Sequence, residues 1–302
     1  MDCGLKDYMQ NSKLTIWLMA MRPKTLMASV APVMLGTLIA YGDGVHHLPT
    51  AFLCLLGALS IQILTNLTND YFDFKKGTDT AERIGPTRVM AAGLVSSTQM
   101  IIAITINLLI TILICWQLVN RGGPPILLIG ILSVISAFLY TAGPKPLAYV
   151  GLGEVFVLIF FGPVAVAGTY YLQSLELNTA VVLAGLGPGL LSAAILTINN
   201  LRDIDGDRKA NKNTLAVRFG RSFALNEYLV CIFTAAVVPV IVYAVMADHL
   251  PILTATAIPI LAIPTIKTVL TKLDGPSLNE ALAQTGKLLF VYSLLLGIGW
   301  VL

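Results

Sequence analysis

Charge is what this sequence has least of. Only 12% of its 302 residues are Asp, Glu, Lys or Arg, about half the usual share, while 56% are hydrophobic and mean hydropathy is +0.82. Nineteen basic and 16 acidic side chains cannot screen that much apolar surface from water. Soluble globular, disordered, collagenous and coiled-coil classes are therefore excluded. The net charge is +3 and there is no basic stripe, so no nucleic-acid partner is expected. Cysteine is scarce: Cys3, Cys54, Cys115 and Cys231 form no C-x-x-C pair, and three of them sit in apolar runs. That excludes a zinc ribbon or disulfide framework and leaves small buried hydrophobes. The three histidines, His46, His47 and His249, lie in links between apolar runs and suggest no metal site. No P-loop or GxGxxG follows a strand, so nothing points to a nucleotide. The start, MDCGLKDYMQNSK, has mixed charge and no compact apolar stretch with a cleavage site, so no removable signal peptide is expected.

What is abundant is membrane-length apolar sequence. Runs long enough to cross a bilayer fall at about 24–41, 51–69, 98–119, 124–141, 152–172, 178–200, 222–246, 251–270 and 284–302. They are continuous, not alternating, so the expected fold is an all-α polytopic membrane protein of about nine transmembrane helices. TIWLMAM (15–21), flanked by Lys13 and Arg22, is expected to lie along the membrane surface. Residues 1–21 then form a cytoplasmic or interfacial segment, and 22–302 a single transmembrane domain. The N-terminal segment and the even-numbered side of the bundle hold 18 of the 19 Lys and Arg; the opposite side holds only Arg121. That asymmetry places the N-terminus and the even-numbered links on the cytoplasmic side of a cell membrane, with the C-terminus outside. No GxxxG dimer motif stands out in so Gly-rich a chain. Oligomeric state is not readable.

The acids are not spread evenly. Seven of the 16 fall in two windows, 65–88 (TNLTNDYFDFKKGTDTAERIGPTR) and 199–218 (NNLRDIDGDRKANKNTLAVR). Each begins inside the cytoplasmic end of an apolar run, the second and the sixth, where acids are costly to dehydrate and usually functional. Asn69 and Asp73 are four apart, as are Asn199, Asp203 and Asp207. On a continuous helix such residues share one face. Asp205 is out of register and is expected to be solvated. The two windows look like a parallel repeat about 130 residues apart.

Two facing stripes of carboxylate and carboxamide suit hard divalent cations, and Mg²⁺ favours one or two carboxylates plus substrate phosphates. A bare diphosphate would be repelled, at about 3 kcal/mol per like-charge pair at 5 Å with an effective dielectric of 20. Bridging cations turn that repulsion into attraction and stabilise charge on a leaving diphosphate. Arg83, Arg88, Arg208, Lys209 and Lys212 stand next to the stripes and could meet outer phosphate oxygens. The chemistry that fits is cleavage of an allylic diphosphate beside lipid, leaving an allyl cation that needs water excluded and electron-rich faces nearby. Tyr71, Tyr140, Phe160 and Phe161 are candidates for those faces. A cation transporter is the alternative of another class, although transporters commonly use inverted repeats with midplane sites.

The motifs NDYFDFKKGTD (69–79), RIGPTRVMAAGLVS (83–96) and NNLRDIDGDRKANKNTLAVRFG (199–220), supported by RPKT (22–25) and the segment 140–171, resemble the UbiA superfamily of intramembrane aromatic prenyltransferases. Within it the likeness is to the branch that prenylates 1,4-dihydroxy-2-naphthoate for menaquinone. The resemblance implies a bundle around a central cavity open to the membrane, Mg²⁺ as cofactor, a polyprenyl diphosphate donor and an aromatic naphthoate acceptor. In that branch the acceptor loses CO₂ as it gains the chain, giving demethylmenaquinone. Other branches take hydroxybenzoate, homogentisate or other rings. By position, Asp70, Asp73, Asp79, Asp203 and Asp207 would be metal ligands, with Asn69 and Asn199 beside them. Many members carry an aspartate where this chain has Gly77, and Asp79 would replace it. Gly77 is expected to end the helix and leave Asp79 on a loop. Arg22, Lys24, Arg88, Lys145 and Lys212 match basic positions near the diphosphate. Tyr140, Lys145 and Glu154 would belong to the acceptor side, with Tyr140 among the catalytic residues.

Overall fold

A computed structural model describes residues 12–78, 85 and 87–302. Among these residues there is no strand. A short helix, α1 (Lys13–Met21), precedes α2 (Pro23–Gly42), α3 (Leu48–Lys76), α4 (Ser97–Gly122), α5 (Pro124–Leu139), α6 (Gly153–Ser174), α7 (Thr179–Arg202), the short α8 (Ile204–Lys209), α9 (Leu215–Met246), α10 (Leu250–Thr271) and α11 (Gly275–Val301). Eight of these are long and apolar enough to cross a membrane. The ninth expected span, α5, has only 16 residues and continues into the turn at Tyr140. Among the described residues the all-α membrane bundle therefore stands, with eight helices of spanning length and α5 as a shorter apolar helix, so the count of about nine is approximate.

Local chemistry sets most boundaries. Arg22 takes a left-handed conformation (φ 53°) that separates α1 from α2, and Pro23 starts α2, where its missing N–H costs nothing. Gly77 at φ 68° ends α3, as the sequence predicts. Ser96 and Gln99 form a reciprocal capping box at the start of α4. Gly123 (φ 69°) and Pro124 make the tight link to α5. The sequence TIWLMAM lies within α1, which packs its Ile16, Trp17 and Ala20 beside Leu64 and Leu67 of α3.

Burial grades the helices by position. In α7, 67% of the spanning window is buried, against 17% in α4. α7 is the central helix, packed on α6, α9 and α11, while α4 turns Ile106, Leu109, Leu113 and Trp116 outward to lipid. Arg121, the single base on the far side, has a structural use. It donates through Nε to Leu172 O (2.5 Å) and through Nη2 to Gln173 O (3.0 Å), capping the end of α6.

The sequence predicts one uninterrupted run over 152–172, but α6 is broken. Phe160–Val164 is a π-turn in which Gly162 is non-helical (φ −114°, ψ −112°). Pro163 lacks an N–H and its ring crowds the preceding turn, so the ladder opens there. The break is locked by glycines of α7. A Cβ on Gly185 would lie 2.7 Å from Pro163 Cα, and one on Gly189 would lie 2.4 Å from Leu158 O. Gly185 and Gly189 thus form a small-xxx-small ridge used inside the bundle. Gly189→Val is expected to cost at least about 3 kcal/mol by overpacking against backbone. It should lower the melting temperature in detergent, while Gly286→Ala, at a half-buried position where an added Cβ meets nothing within 4 Å, should not.

Candidate active site

Helices α2, α3, α4, α5, α6, α7 and α11 line a cavity of about 390 Å³. Its mouth is polar, with Arg22, Lys24, Asn69, Asp73, Arg88, Asn199 and Lys212 on the wall. Its depth is apolar and reaches Cys54, Leu118, Ile126 and Leu172. The rise along α3 from Cys54 to Asp73 is about 28 Å, close to a hydrocarbon thickness.

The first acidic stripe keeps its register on α3. Asn69 accepts from Thr141 Oγ1 (2.9 Å). Asp73 Oδ1 accepts from Tyr149 Oη (3.0 Å), and Asp73 Oδ2 pairs with Arg88 Nη2 at 3.3 Å. Asp70 turns to another face. It is 1% exposed, is absent from the cavity wall, and its Oδ2 accepts from the Val89 amide at 3.2 Å. It thereby holds the backbone next to Arg88. Asp79 lies outside the described residues.

The second stripe differs from a continuous helix. α7 ends at Arg202, Asp203 takes φ −96° and ψ 9°, and Asp207 sits on α8. Aspartate is a poor residue inside a helix, and here the Arg202 side chain folds onto Asp203 instead. The Asp207 amide still bonds to Asp203 O (2.8 Å), so the four-residue spacing survives the break. Asp205 is solvated, with a side chain 86% exposed beside Arg208.

Arg202 is the principal group that sequence reasoning missed. Its side chain is 1% exposed and grips Asp203 with two bonds, Nε to Oδ1 at 2.8 Å and Nη2 to Oδ2 at 2.6 Å. It also donates to Asn199 Oδ1 (2.8 Å) and Asn279 Oδ1 (2.5 Å). The signal was an arginine placed directly before the acid, two residues past the apolar run. Tyr149 is the second group missed, and it sits in a link with no motif of its own. Its hydroxyl reaches Asp73, and Lys212 Nζ lies 5.7 Å from its ring while pairing with Asp207 at 3.5 Å. Lys76 Nζ covers the same ring at 4.5 Å and donates to Thr141 O (2.6 Å). Tyr149 therefore couples the two stripes, and the Asn213 amide bonded to its carbonyl (3.1 Å) fixes the junction.

Tyr140 is on the cavity wall near both stripes. The α6 break presents Phe160 and Phe161 to the cavity, and Phe156 stacks on Phe160 at 6.1 Å. Tyr71 does not reach the cavity wall; it packs with the α1–α3 cluster. Lys145 is exposed and off the wall. Glu154 is buried and accepts from Asn200.

The described residues contain no group of three His, Cys, Asp or Glu side chains that could cage a metal. The donors present are two carboxylate–carboxamide sets on opposing helices, Asn69 with Asp73 and Asn199 with Asp203 and Asp207. That composition suits a magnesium ion completed by phosphate oxygens and water.

Asn69, Asp73 and Asn199 line the cavity mouth while Asp203 and Asp207 are not on its wall, Asp207 being linked to it through Lys212, and such a mouth on a membrane bundle suits an intramembrane transferase. The chain belongs to the UbiA prenyltransferase family, whose model matches residues 29–300. It is 39% identical over 248 residues to the 1,4-dihydroxy-2-naphthoate octaprenyltransferase of Escherichia coli, covering 80% of each chain. It is 42% identical over 226 residues to the enzyme of the same name from Haemophilus influenzae, covering 70% of this chain and 71% of that one. A UbiA homolog from Archaeoglobus fulgidus, solved bound to DMAPP and Mg²⁺, superimposes with a TM-score of 0.67 at 17% identity, over 94% of this chain and 98% of that one.

Proposed function

We propose that this protein transfers a polyprenyl group from polyprenyl diphosphate to 1,4-dihydroxy-2-naphthoate, releasing diphosphate and CO₂ and giving the quinol form of demethylmenaquinone, which becomes the quinone only on later oxidation. The observation that carries this reading is the coupling of Asp73 to Asp207 through Tyr149 and Lys212 at a cavity mouth, in a chain similar to naphthoate prenyltransferases. The donor's chain lies in the apolar depth, and its diphosphate sits at the mouth. Asn69, Asp73, Asn199, Asp203 and Asp207 would hold Mg²⁺, which supplies electrostatic stabilisation of the departing diphosphate. Arg22, Lys24, Arg88 and Lys212 face the phosphate oxygens. The bond from prenyl C1 to oxygen breaks with its electron pair on diphosphate. Tyr140, Phe156, Phe160 and Phe161 surround the allyl cation with ring faces and keep water away. A ring carbon of the acceptor then bonds to C1, and the ring gives up its carboxyl group as CO₂. The mouth faces the cytoplasm, consistent with 18 of 19 bases on that side, and the enzyme resides in the cytoplasmic membrane.

The test offers membranes containing the protein a polyprenyl diphosphate together with dihydroxynaphthoate, hydroxybenzoate and homogentisate, and reads products by mass spectrometry. Demethylmenaquinone as the dominant product is the expected result. A prenylated benzoate or homogentisate alone overturns the acceptor assignment, and no prenylated product at all overturns the reading.

A further inference from the structure

One polar wall of the cavity has no part in holding diphosphate. Glu154, in the first turn of α6, is 6% exposed, and its Oε1 accepts from Asn200 Nδ2 at 2.7 Å. Asn200 is itself 5% exposed and lines the cavity. Glu154 lies beyond Tyr140: a Cβ on the neighbouring Gly153 would meet Tyr140 Oη at 3.3 Å and Leu196 Cδ2 at 3.2 Å. Removing a carboxylate from water costs several kcal/mol, and one bond from a neutral amide does not offset it. Acids kept inside membrane segments in this way mark function.

The bond has a direction that matters. Asn200 turns its NH₂ to Glu154 Oε1. That leaves the amide oxygen of Asn200 as the atom offered to the cavity. The preceding residue is committed elsewhere, because Asn199 Oδ1 accepts from Arg202, which holds Asp203. Successive residues on a helix point about 100° apart. One asparagine therefore serves the diphosphate side and the next serves the opposite side, near Tyr140 and the Phe156–Phe160 stack.

Building on the prenyl-transfer reading above, we propose that Asn200 Oδ1 accepts a hydrogen bond from a phenolic hydroxyl of the aromatic acceptor. Glu154 is the positioning residue that fixes the carboxamide for this contact. The bond orients the ring toward the allyl cation and raises electron density on the ring through its oxygen.

The experiment compares wild type, Glu154→Gln and Asn200→Leu, with dihydroxynaphthoate and its mono-O-methyl ethers as acceptors. Gln fills the same space and can still bond to Asn200, but it accepts or donates, so the orientation is lost. The acceptor KM should rise about tenfold in both variants, the worth of one hydrogen bond. The KM for polyprenyl diphosphate and the melting temperature of Glu154→Gln should not move. Wild type should discriminate against one ether by a similar factor, and both variants should lose that discrimination. An unchanged acceptor KM, or donor and acceptor KM rising together, overturns the inference while wild-type turnover leaves the functional reading standing. Absence of wild-type turnover with dihydroxynaphthoate overturns both.

Discussion

Asp73→Ala is expected to lower prenyl transfer by at least about 10³-fold while the protein still inserts and folds. A factor of 10³ is about 4 kcal/mol of transition-state stabilisation, the scale of one electrostatic contact to a leaving group in a water-poor site. Asp73 lies on the wall of the cavity mouth, and its two oxygens face different partners, Tyr149 and Arg88. Its loss removes a ligand from the first stripe and leaves Arg88 to draw the diphosphate out of register. Asp203 calls for a different substitution. Its partner Arg202 is 1% exposed, so Asp203→Ala strands a buried cation and is expected to cost stability as well. Asp203→Asn keeps an acceptor for Arg202 and separates the two effects, with activity falling by a similar factor and melting temperature changing little. Single-turnover kinetics with circular dichroism in detergent checks both. Normal turnover in Asp73→Ala and Asp203→Asn removes the assignment of the stripes to the diphosphate.

Chelation is expected to have the second large effect. Excess EDTA should abolish turnover, and Mg²⁺ should restore it. The physical reason is the sign of the charge. In the proposed complex Asp73, Asp203 and Asp207 would stand beside a diphosphate, and each uncompensated pair at 5 Å costs about 3 kcal/mol at an effective dielectric of 20. Arg88, Arg202 and Lys212 are each paired with one of those acids, so whatever contact Arg88 and Lys212 make with the phosphates leaves the combined negative charge uncompensated without a cation. Donor binding should therefore weaken along with catalysis, read as loss of the thermal shift produced by polyprenyl diphosphate. Full activity in EDTA contradicts this account.

Much of the protein is legible without coordinates, because the bilayer turns composition into architecture. Lengths of apolar run predict the nine spans, and basic residues predict the sidedness. The four-residue spacing of Asn69 with Asp73, and of Asn199 with Asp203 and Asp207, marks the face that matters. These are one-dimensional signals, carried by hydrophobicity, helix period and turn residues such as Gly77 and Pro23.

Packing decided the rest. Asp70 reads as part of the acidic motif, yet its neighbour Val89 comes from a distant loop and turns it into a backbone anchor. Arg202 reads as one more cytoplasmic base, yet four acceptor contacts bury it at the centre of the second stripe. Tyr149 has no local signature and becomes the link between stripes only because the loop holding it lies across both. The kink at Gly162 needs the bare backbone of Gly185 and Gly189 on another helix. A sequence specifies its own helices through local periodicity, but the partner of a buried polar group is set by which helices the bundle brings together.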